Sequence, residues 1–249
     1  MIDIHSHVLF GVDDGARTFD DSVAMLRVAE EDGTTDLVAT PHASPEYRYD
    51  PAVIQDRLAQ LAKATKIRLY SGCDFHLSFD NIQDAIENPR KYTINQKSYL
   101  LVEFSDLLIF QNTPEIFGRL QDAGMIPVIT HPERNGLLRQ RIENLQAWVE
   151  AGATIQVTAQ SFLGRFGSRA REFSETLLEK GLIHFVASDA HDCESRPPKL
   201  GEVHTWLTKR SGRFTADLLC LENPHAALFG APVKAPPALD PKKWYQLWR

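Results

Sequence analysis

Cysteine is scarce in this chain. Its 249 residues hold three, Cys73, Cys193 and Cys220. The number is odd and the spacing scattered, which argues against a disulfide scaffold and for a reducing cytoplasm. No apolar run reaches the roughly 18 residues that a membrane span needs. The opening Met1-Ile2-Asp3-Ile4-His5 has no basic stretch followed by an apolar run, so no signal peptide is expected. Basic charge is also short: 27 Lys and Arg face 33 Asp and Glu, a net charge of −6. That balance does not suit a general nucleic-acid binder. There is no glycine-rich nucleotide loop, and Gly11-Val12-Asp13-Asp14-Gly15 lacks the spaced acids and closing Glu of a calcium loop. Thiolate phosphatases place an arginine six residues after the nucleophile. Here those positions are Phe79, Lys199 and Ala226, which disfavours that chemistry and leaves the cysteines structural.

What remains is an ordinary globular composition, 43% hydrophobic and 24% charged, long enough for one large domain. Short apolar runs alternate with amphipathic segments. Strands are expected at Asp3 to Ile4, Leu37 to Ala39, Ile67 to Tyr70, Tyr99 to Val102, Ile126 to Thr130, Thr154 to Val157 and Ile183 to Ala187. Helices are expected from Phe19 to Gly33, Pro51 to Lys66, Thr113 to Gly124, Ile142 to Glu150 and Arg169 to Lys180. This β-α alternation predicts parallel strands with helical crossovers, and runs without polar alternation fit strands buried on both faces. About seven strand candidates favour an α/β barrel over an open sheet. From Ala231 the chain changes, with Pro232, Pro236, Pro237 and Pro241 ahead of Trp244-Tyr245-Gln246-Leu247-Trp248. Residues 1–230 therefore read as one domain and 231–249 as an extended tail.

Six apolar runs end, at their C-terminal side, in an imidazole or a carboxylate. Ile2-Asp3-Ile4 leads to His5 and His7, Leu37 to Pro41 to His42, and Ile67 to Tyr70 through Gly72 to Asp74. Leu100 to Val102 leads to Glu103, Val128 to Thr130 to His131, and Phe185 to Ser188 to Asp189 and His191. In α/β barrels these strand ends form one rim, so residues distant in sequence would converge there. His-x-His on a strand puts both rings on one face. With Asp14 there are nine candidate ligands, and one ion takes about three or four. Two or three divalent ions follow, with a bridging carboxylate. A single His-x-His, His42, His131 or Glu103 would be weak evidence; the coincidence at six strand ends carries the reading. His76, His184, His204 and His225 are not expected to be ligands. Arg134 and Arg196 lie next to ligands and suit an anion clamp better than a purely structural ion pair. Arg165, Arg169 and Arg171 read as a solvated basic face at least as well as an approach for an acidic substrate.

These motifs resemble the polymerase-and-histidinol-phosphatase (PHP) family of metal-dependent phosphoesterases. Met1 to His7 with Gly11-Val12-Asp13-Asp14-Gly15 is more narrowly similar to the bacterial tyrosine phosphatases of capsule and exopolysaccharide clusters. Thr40-Pro41-His42, Leu101 to Ser105, His131-Pro132-Glu133-Arg134, Ala187 to His191 and Ser195-Arg196-Pro197-Pro198 carry the resemblance over roughly residues 1 to 230. It implies a distorted (β/α)7 TIM-like barrel of the PHP type with three metals. By that resemblance His5, His7, Asp74 and Asp189 hold the first ion. Asp74 bridges to a second, held also by Glu103 and His131, and Asp14, His42 and His191 hold the third. Arg134 and Arg196 match positions that bind substrate phosphate. The bridging position is usually Glu; Asp74 is one methylene shorter, so the backbone must come closer or the metal spacing change.

The activity implied is a protein-tyrosine phosphatase, a metal-dependent phosphoric monoester hydrolase in which a metal-activated hydroxide attacks phosphorus in line with the leaving oxygen. The expected cofactors are two or three divalent ions, manganese first and iron or zinc as alternatives. The implied partner is a phosphotyrosine protein, a bacterial tyrosine autokinase of polysaccharide export, met in the cytoplasm. The competing readings are a small-molecule phosphatase such as histidinol phosphatase, a metal-stabilised binding module without turnover, and a nuclease, the last disfavoured by charge and by the lack of aromatic-basic patches.

Overall fold

The computed structural model describes residues 1–238. Nine strands are present among them: β1 (Ile2–Ser6), β2 (Asp36–Ala39), β3 (His42–Ala43), β4 (Arg68–Ser71), β5 (Asp74–His76), β6 (Tyr99–Glu103), β7 (Ile126–Thr130), β8 (Thr154–Thr158) and β9 (Phe185–Ala187). The helices are α1 (Phe19–Glu31), α2 (Pro51–Leu61), α3 (Phe79–Glu87), α4 (Thr113–Asp122), α5 (Ile142–Glu150), α6 (Ala159–Phe162), α7 (Ser168–Glu179), α8 (Gly201–Ser211), α9 (Arg213–Asp217) and α10 (Asn223–Leu228). Local chemistry starts several of them. Thr18 and Asp21 form a reciprocal capping box on α1, Asp50 accepts from Ala52 and Val53 at the head of α2 with Pro51 at its first position, and Ser78 caps α3.

Every strand pairing is parallel, as the βα alternation requires. The strands do not form one closed sheet. They fall into a three-stranded sheet, β1-β2-β4, and a six-stranded sheet, β3-β5-β6-β7-β8-β9. Nine strand segments arise where seven were expected because two runs are interrupted. Thr40-Pro41 separates β2 from β3, and Pro41 has no N–H to offer a ladder. Gly72-Cys73 separates β4 from β5. At the far end β9 meets β1 only through the isolated parallel bridge Ser6–Ala190, where Asp189 N–H donates to His5 O at 2.9 Å and His7 N–H to Ala190 O at 2.8 Å.

Alternate residues of the strands enter two apolar cores. On β6, Leu100 and Val102 join the larger one with helix residues such as Leu120 and Leu145. Tyr99 and Leu101 join a smaller one with Ile2, Ile4, Val38, Val128 and Phe185. Burial on both faces explains the unbroken apolar runs. Two of the boundaries that move have a visible cause. Helix α2 ends at Leu61 rather than Lys66, because Ala64 N–H turns to Leu61 O and Lys66 N–H goes to the Glu30 carboxylate at 2.7 Å. Strand β9 begins at Phe185 rather than Ile183. The His184 ring nitrogen accepts from Ile155 N–H at 3.2 Å, while its carbonyl accepts from Asn223 Nδ2 at 2.8 Å.

Of the tail, residues 239–249, including Trp244 to Trp248, lie outside the described residues. The stretch before them runs along the domain: Tyr99 Oη donates to Ala231 O at 2.9 Å, and Asn223 exchanges hydrogen bonds with Lys234. Among the described residues no helix is long and apolar enough to cross a membrane.

Burial pushes the His184 imidazole down from its ordinary 6.5 to about 4. Between those values the unfolded chain binds the proton and the folded chain refuses it, so stability falls as pH drops from about 6.5 to about 4. The whole effect is at most about 3 kcal/mol. His184→Asn keeps an acceptor for Ile155 N–H without the titration. Its urea midpoint is expected to fall less steeply over that range than the wild type's; equal slopes would contradict the assignment.

Candidate metal centre

The nine expected ligands meet at the C-terminal strand ends. Their donor atoms form four overlapping groups, each within 4.8 Å: His7, Asp14, His42 and His191; His5, Asp74 and His131; His5, His7 and Asp189; and His42, Asp74 and Glu103. No expected ligand is left out. The grouping differs in detail from the one implied by resemblance. Asp74 joins His5 with His131, and His42 with Glu103, rather than His5, His7 and Asp189 together. The shorter Asp74 still belongs to two groups, because β5 carries its backbone alongside that of His42.

The backbone is bent to achieve this. His131 and Asp189 hold φ of 33° and 51°, in the left-handed region that costs a β-carbon residue about 1–3 kcal/mol. At Asp189 the neighbouring bonds hold the turn. Ser188 donates to the buried Asp3 carboxylate through N–H at 3.0 Å and Oγ at 2.5 Å, and its Oγ accepts from Ala190 N–H at 3.2 Å. Gly15 lies against the backbone of His7, where an added Cβ would sit 2.0 Å from His7 O. Only glycine allows that approach.

Charge is dense here. Burial raises the Asp74 carboxyl, but the surrounding His5, His131 and His42 outweigh it and hold it well below the usual carboxylate range. Asp189 behaves likewise, against burial, under His5, His7, Arg134 and Arg196. Hydrogen bonds from His191 and His42 lower Asp14. Glu103 goes the other way, pushed up to about 7 by burial and by the charge on Asp74. The Asp189 carboxylate is shared: Oδ1 lies 3.4 Å from Nε2 of both His5 and His7, while Oδ2 receives Arg134 and, at 2.6 Å, Arg196.

Whether these residues fit a metal can be judged from their unused atoms. Asp74 Oδ2 and His42 Nδ1 are buried, lie 3.4 Å apart and have no hydrogen-bond partner. Buried polar atoms are as a rule paired. Nε2 of His5 and Nε2 of His7 also face each other at 3.3 Å, two lone-pair bearers that a cation would reconcile. Imidazole and carboxylate are the donors that Mn, Fe and Zn accept. The donor set fits.

Three residues that the sequence reading left unassigned orient the ligands. Asp13 accepts from His7 Nδ1 at 2.7 Å, His42 N–H at 3.1 Å and Gly15 N–H at 3.0 Å. Gln156 Oε1 accepts from His5 Nδ1 at 3.0 Å. Asp3 holds Ser188. With Nδ1 engaged, Nε2 of His5 and His7 is free for a metal. The doubled Asp13-Asp14 was the available signal for the first; nothing local marked Gln156. None of His76, His184, His204 and His225 falls in a donor group; His204 pairs with Asp217 at 2.7 Å and the His225 ring lies tilted against Phe229. The thiols of Cys73 and Cys220 are buried and pushed up, Cys220 to about 12, so neither is a nucleophile. Arg165 and Arg171 face Glu202 and Glu175 on the surface.

Parallel strands that deliver imidazoles and carboxylates to one rim make this an α/β protein of the metal-dependent hydrolase kind. The chain belongs to the CpsB/CapC family of capsular polysaccharide synthesis, whose profile matches residues 1–229. It is 37% identical over 209 residues, 82% of each chain, to the putative tyrosine-protein phosphatase CapC of Staphylococcus aureus. It is 36% identical over 218 residues, 85% of each chain, to the tyrosine-protein phosphatase YwqE of Bacillus subtilis (strain 168). Its backbone superposes with a TM-score of 0.87 and 33% identity, over 96% of this chain and all of the other (100%), on a crystal structure from work on YwqE of Bacillus subtilis and CpsB of Streptococcus pneumoniae, described as unique metal-dependent tyrosine phosphatases.

Asp13→Ala is expected to weaken binding of Mn2+ about 10- to 100-fold while the fold persists. Calorimetric titration of the metal-stripped protein checks this, and an unchanged affinity would remove Asp13 from the centre.

Proposed function

We propose that this chain is a metal-dependent protein-tyrosine phosphatase whose nine donor residues, His5, His7, Asp14, His42, Asp74, Glu103, His131, Asp189 and His191, hold two or three divalent ions, with Arg134 and Arg196 receiving the substrate phosphate. The observation that carries the reading is the convergence of all nine donors, with both arginines on the Asp189 carboxylate at the same rim. The two sheets, tied by the Ser6–Ala190 bridge, are read as one distorted (β/α)7 barrel. The native ion is manganese, with iron or zinc as alternatives.

When bound, the ions supply Lewis-acid charge and a water acidified enough to act as nucleophile at neutral pH. The chain's own residues do the rest. Arg134 and Arg196 each use one terminal nitrogen on Asp189, which leaves further N–H groups for phosphoryl oxygens. Arg196 Nε is buried and unpartnered. Guanidiniums placed there offset the charge that gathers on the equatorial oxygens. Asp13, Gln156 and Asp3 keep the donor atoms in register. A phenolate leaves with a pKa of about 10, so the ester needs less protonation than an alkyl one.

A protein substrate suits the mouth better than a free metabolite. The cavity lined by Glu103, His131 and Arg134 holds about 120 Å3. Outside it, Phe79, Leu107 and Leu108 are 81%, 89% and 50% exposed, on the segments that follow β5 and β6. Exposed apolar groups of that kind serve macromolecular contact. A small-molecule phosphatase such as a histidinol phosphatase would be expected to enclose its substrate. The partner we infer is a cytoplasmic tyrosine autokinase of polysaccharide export, dephosphorylated on a tyrosine-rich segment.

His5→Ala and Asp189→Ala are each expected to lower bound metal and reduce hydrolysis of a phosphotyrosyl peptide to background. Near-normal turnover in either would contradict the proposal. Arg134→Ala should keep its metal and raise the inhibition constant for inorganic phosphate about tenfold or more; an unchanged constant would remove the clamp.

A further inference from the structure

Phe166 is no candidate ligand, and nothing above uses it. It stands on the 163–167 turn between α6 and α7, which its backbone makes firm. Gly164 N–H donates to Ser161 O at 3.0 Å, Arg165 N–H to Gln160 O at 3.1 Å and Gly167 N–H to Gly164 O at 3.0 Å. Gly164 and Gly167 hold φ of 78° and 87°, so the turn needs glycine on both sides of Arg165 and Phe166. Phe166 is half-buried between exposed neighbours. Among the described residues its ring partner is the guanidinium of Arg134, whose central carbon lies 4.5 Å from the ring centroid. Arg134 thus joins the donor centre, through Asp189, to an aromatic surface at the rim.

That placement bears on which ester is accepted. The cavity beside Arg134 is small, about 120 Å3, and lined largely by polar groups. A lining of Glu103, Asp106, Thr130, His131, Arg134 and Asn135 suits a phosphoryl group better than an aromatic ring. The organic part of the ester must therefore leave along the rim, next to whatever holds the phosphate. With phosphate on Arg134, the ring stacked on that guanidinium is an apolar face for the substrate's own ring. Aromatic pairs gain beyond simple area burial, a gain that an alkyl group does not share.

We propose that Phe166 is a specificity-determining residue that selects aryl over alkyl phosphate esters by packing against the substrate's phenyl ring. The inference rests on the phosphatase reading above. Phe166 also makes a cation–π contact with Arg134, but Asp189 holds that guanidinium independently, and the two roles separate cleanly. Loss of the hold weakens every phosphate ligand alike; loss of the packing weakens aryl ligands alone.

The test is calorimetric titration of the manganese-loaded protein with phenylphosphonate and with methylphosphonate, for wild type, Phe166→Leu and Phe166→Tyr. In Phe166→Leu the phenylphosphonate affinity is expected to fall about fivefold while methylphosphonate changes less than about twofold. Phe166→Tyr keeps the wild-type preference. With phosphotyrosyl peptide, Phe166→Leu should raise KM and retain kcat, with metal content unchanged. An equal fall for both phosphonates, or no fall for either, overturns the proposal and leaves the phosphatase reading standing. A wild-type protein that binds neither phosphonate and hydrolyses no phosphomonoester overturns the reading itself.

Discussion

Everything in this molecule turns on carboxylates buried among imidazoles and guanidiniums. An isolated ionised carboxylate moved into an apolar interior costs many kcal/mol. Asp74 and Asp189 are 0% and 1% exposed, and both stay ionised because cationic partners more than offset their burial. Such an arrangement tolerates no missing member, since removing one partner strands the other's charge. It also leaves lone pairs facing one another at Asp74, His42, His5 and His7. A divalent cation is the simplest group that satisfies all of them.

The fold serves this constraint. Parallel strands send their C-terminal ends to one side, and six of the seven expected runs lead there into a candidate donor. The breaks at Thr40-Pro41 and Gly72-Cys73 interrupt the hydrogen-bond ladder, yet they bring His42 and Asp74 into register on neighbouring short strands. The left-handed turns at His131 and Asp189 re-aim side chains that a regular strand would point elsewhere. The strain at Asp189 is held by the Asp3–Ser188 bonds and by the Asp189–His5 and His7–Ala190 backbone bonds that join the first strand to the last. The same Asp189 links the imidazoles of His5 and His7 to the guanidiniums of Arg134 and Arg196 across a single carboxylate.

Much of this was legible beforehand. Apolar runs ending in His or acid residues are a local pattern, and eight of the nine candidate donors could be named from it because strand direction decides where those ends lie; Asp14 came from the loop after the first run. Strand positions and five of the ten helices were legible for the same reason. Other features depend on tertiary placement. Gln156 matters only because β8 runs beside the end of β7 and its amide reaches His5. The grouping of donors depends on side-chain reach: Asp74 is one methylene shorter than the residue usual at that position and falls in with His131 and Glu103. Helices α3, α6, α8, α9 and α10 were not expected, because a single buried stripe such as Ile82 and Ala85 is a weak signal in a short helix. The closed sheet expected from seven runs gave way to two sheets, since a missing N–H at Pro41 is enough to interrupt a ladder.

The central claim is that the nine donors form one polynuclear metal centre. Anomalous diffraction from crystals of the manganese-loaded protein tests it most directly. The account predicts two or three anomalous peaks, each within coordinating distance of donors from one of the four groups, with Asp74 shared between two of them. Peaks elsewhere on the chain, or full occupancy of none of these groups at saturating manganese, would contradict it.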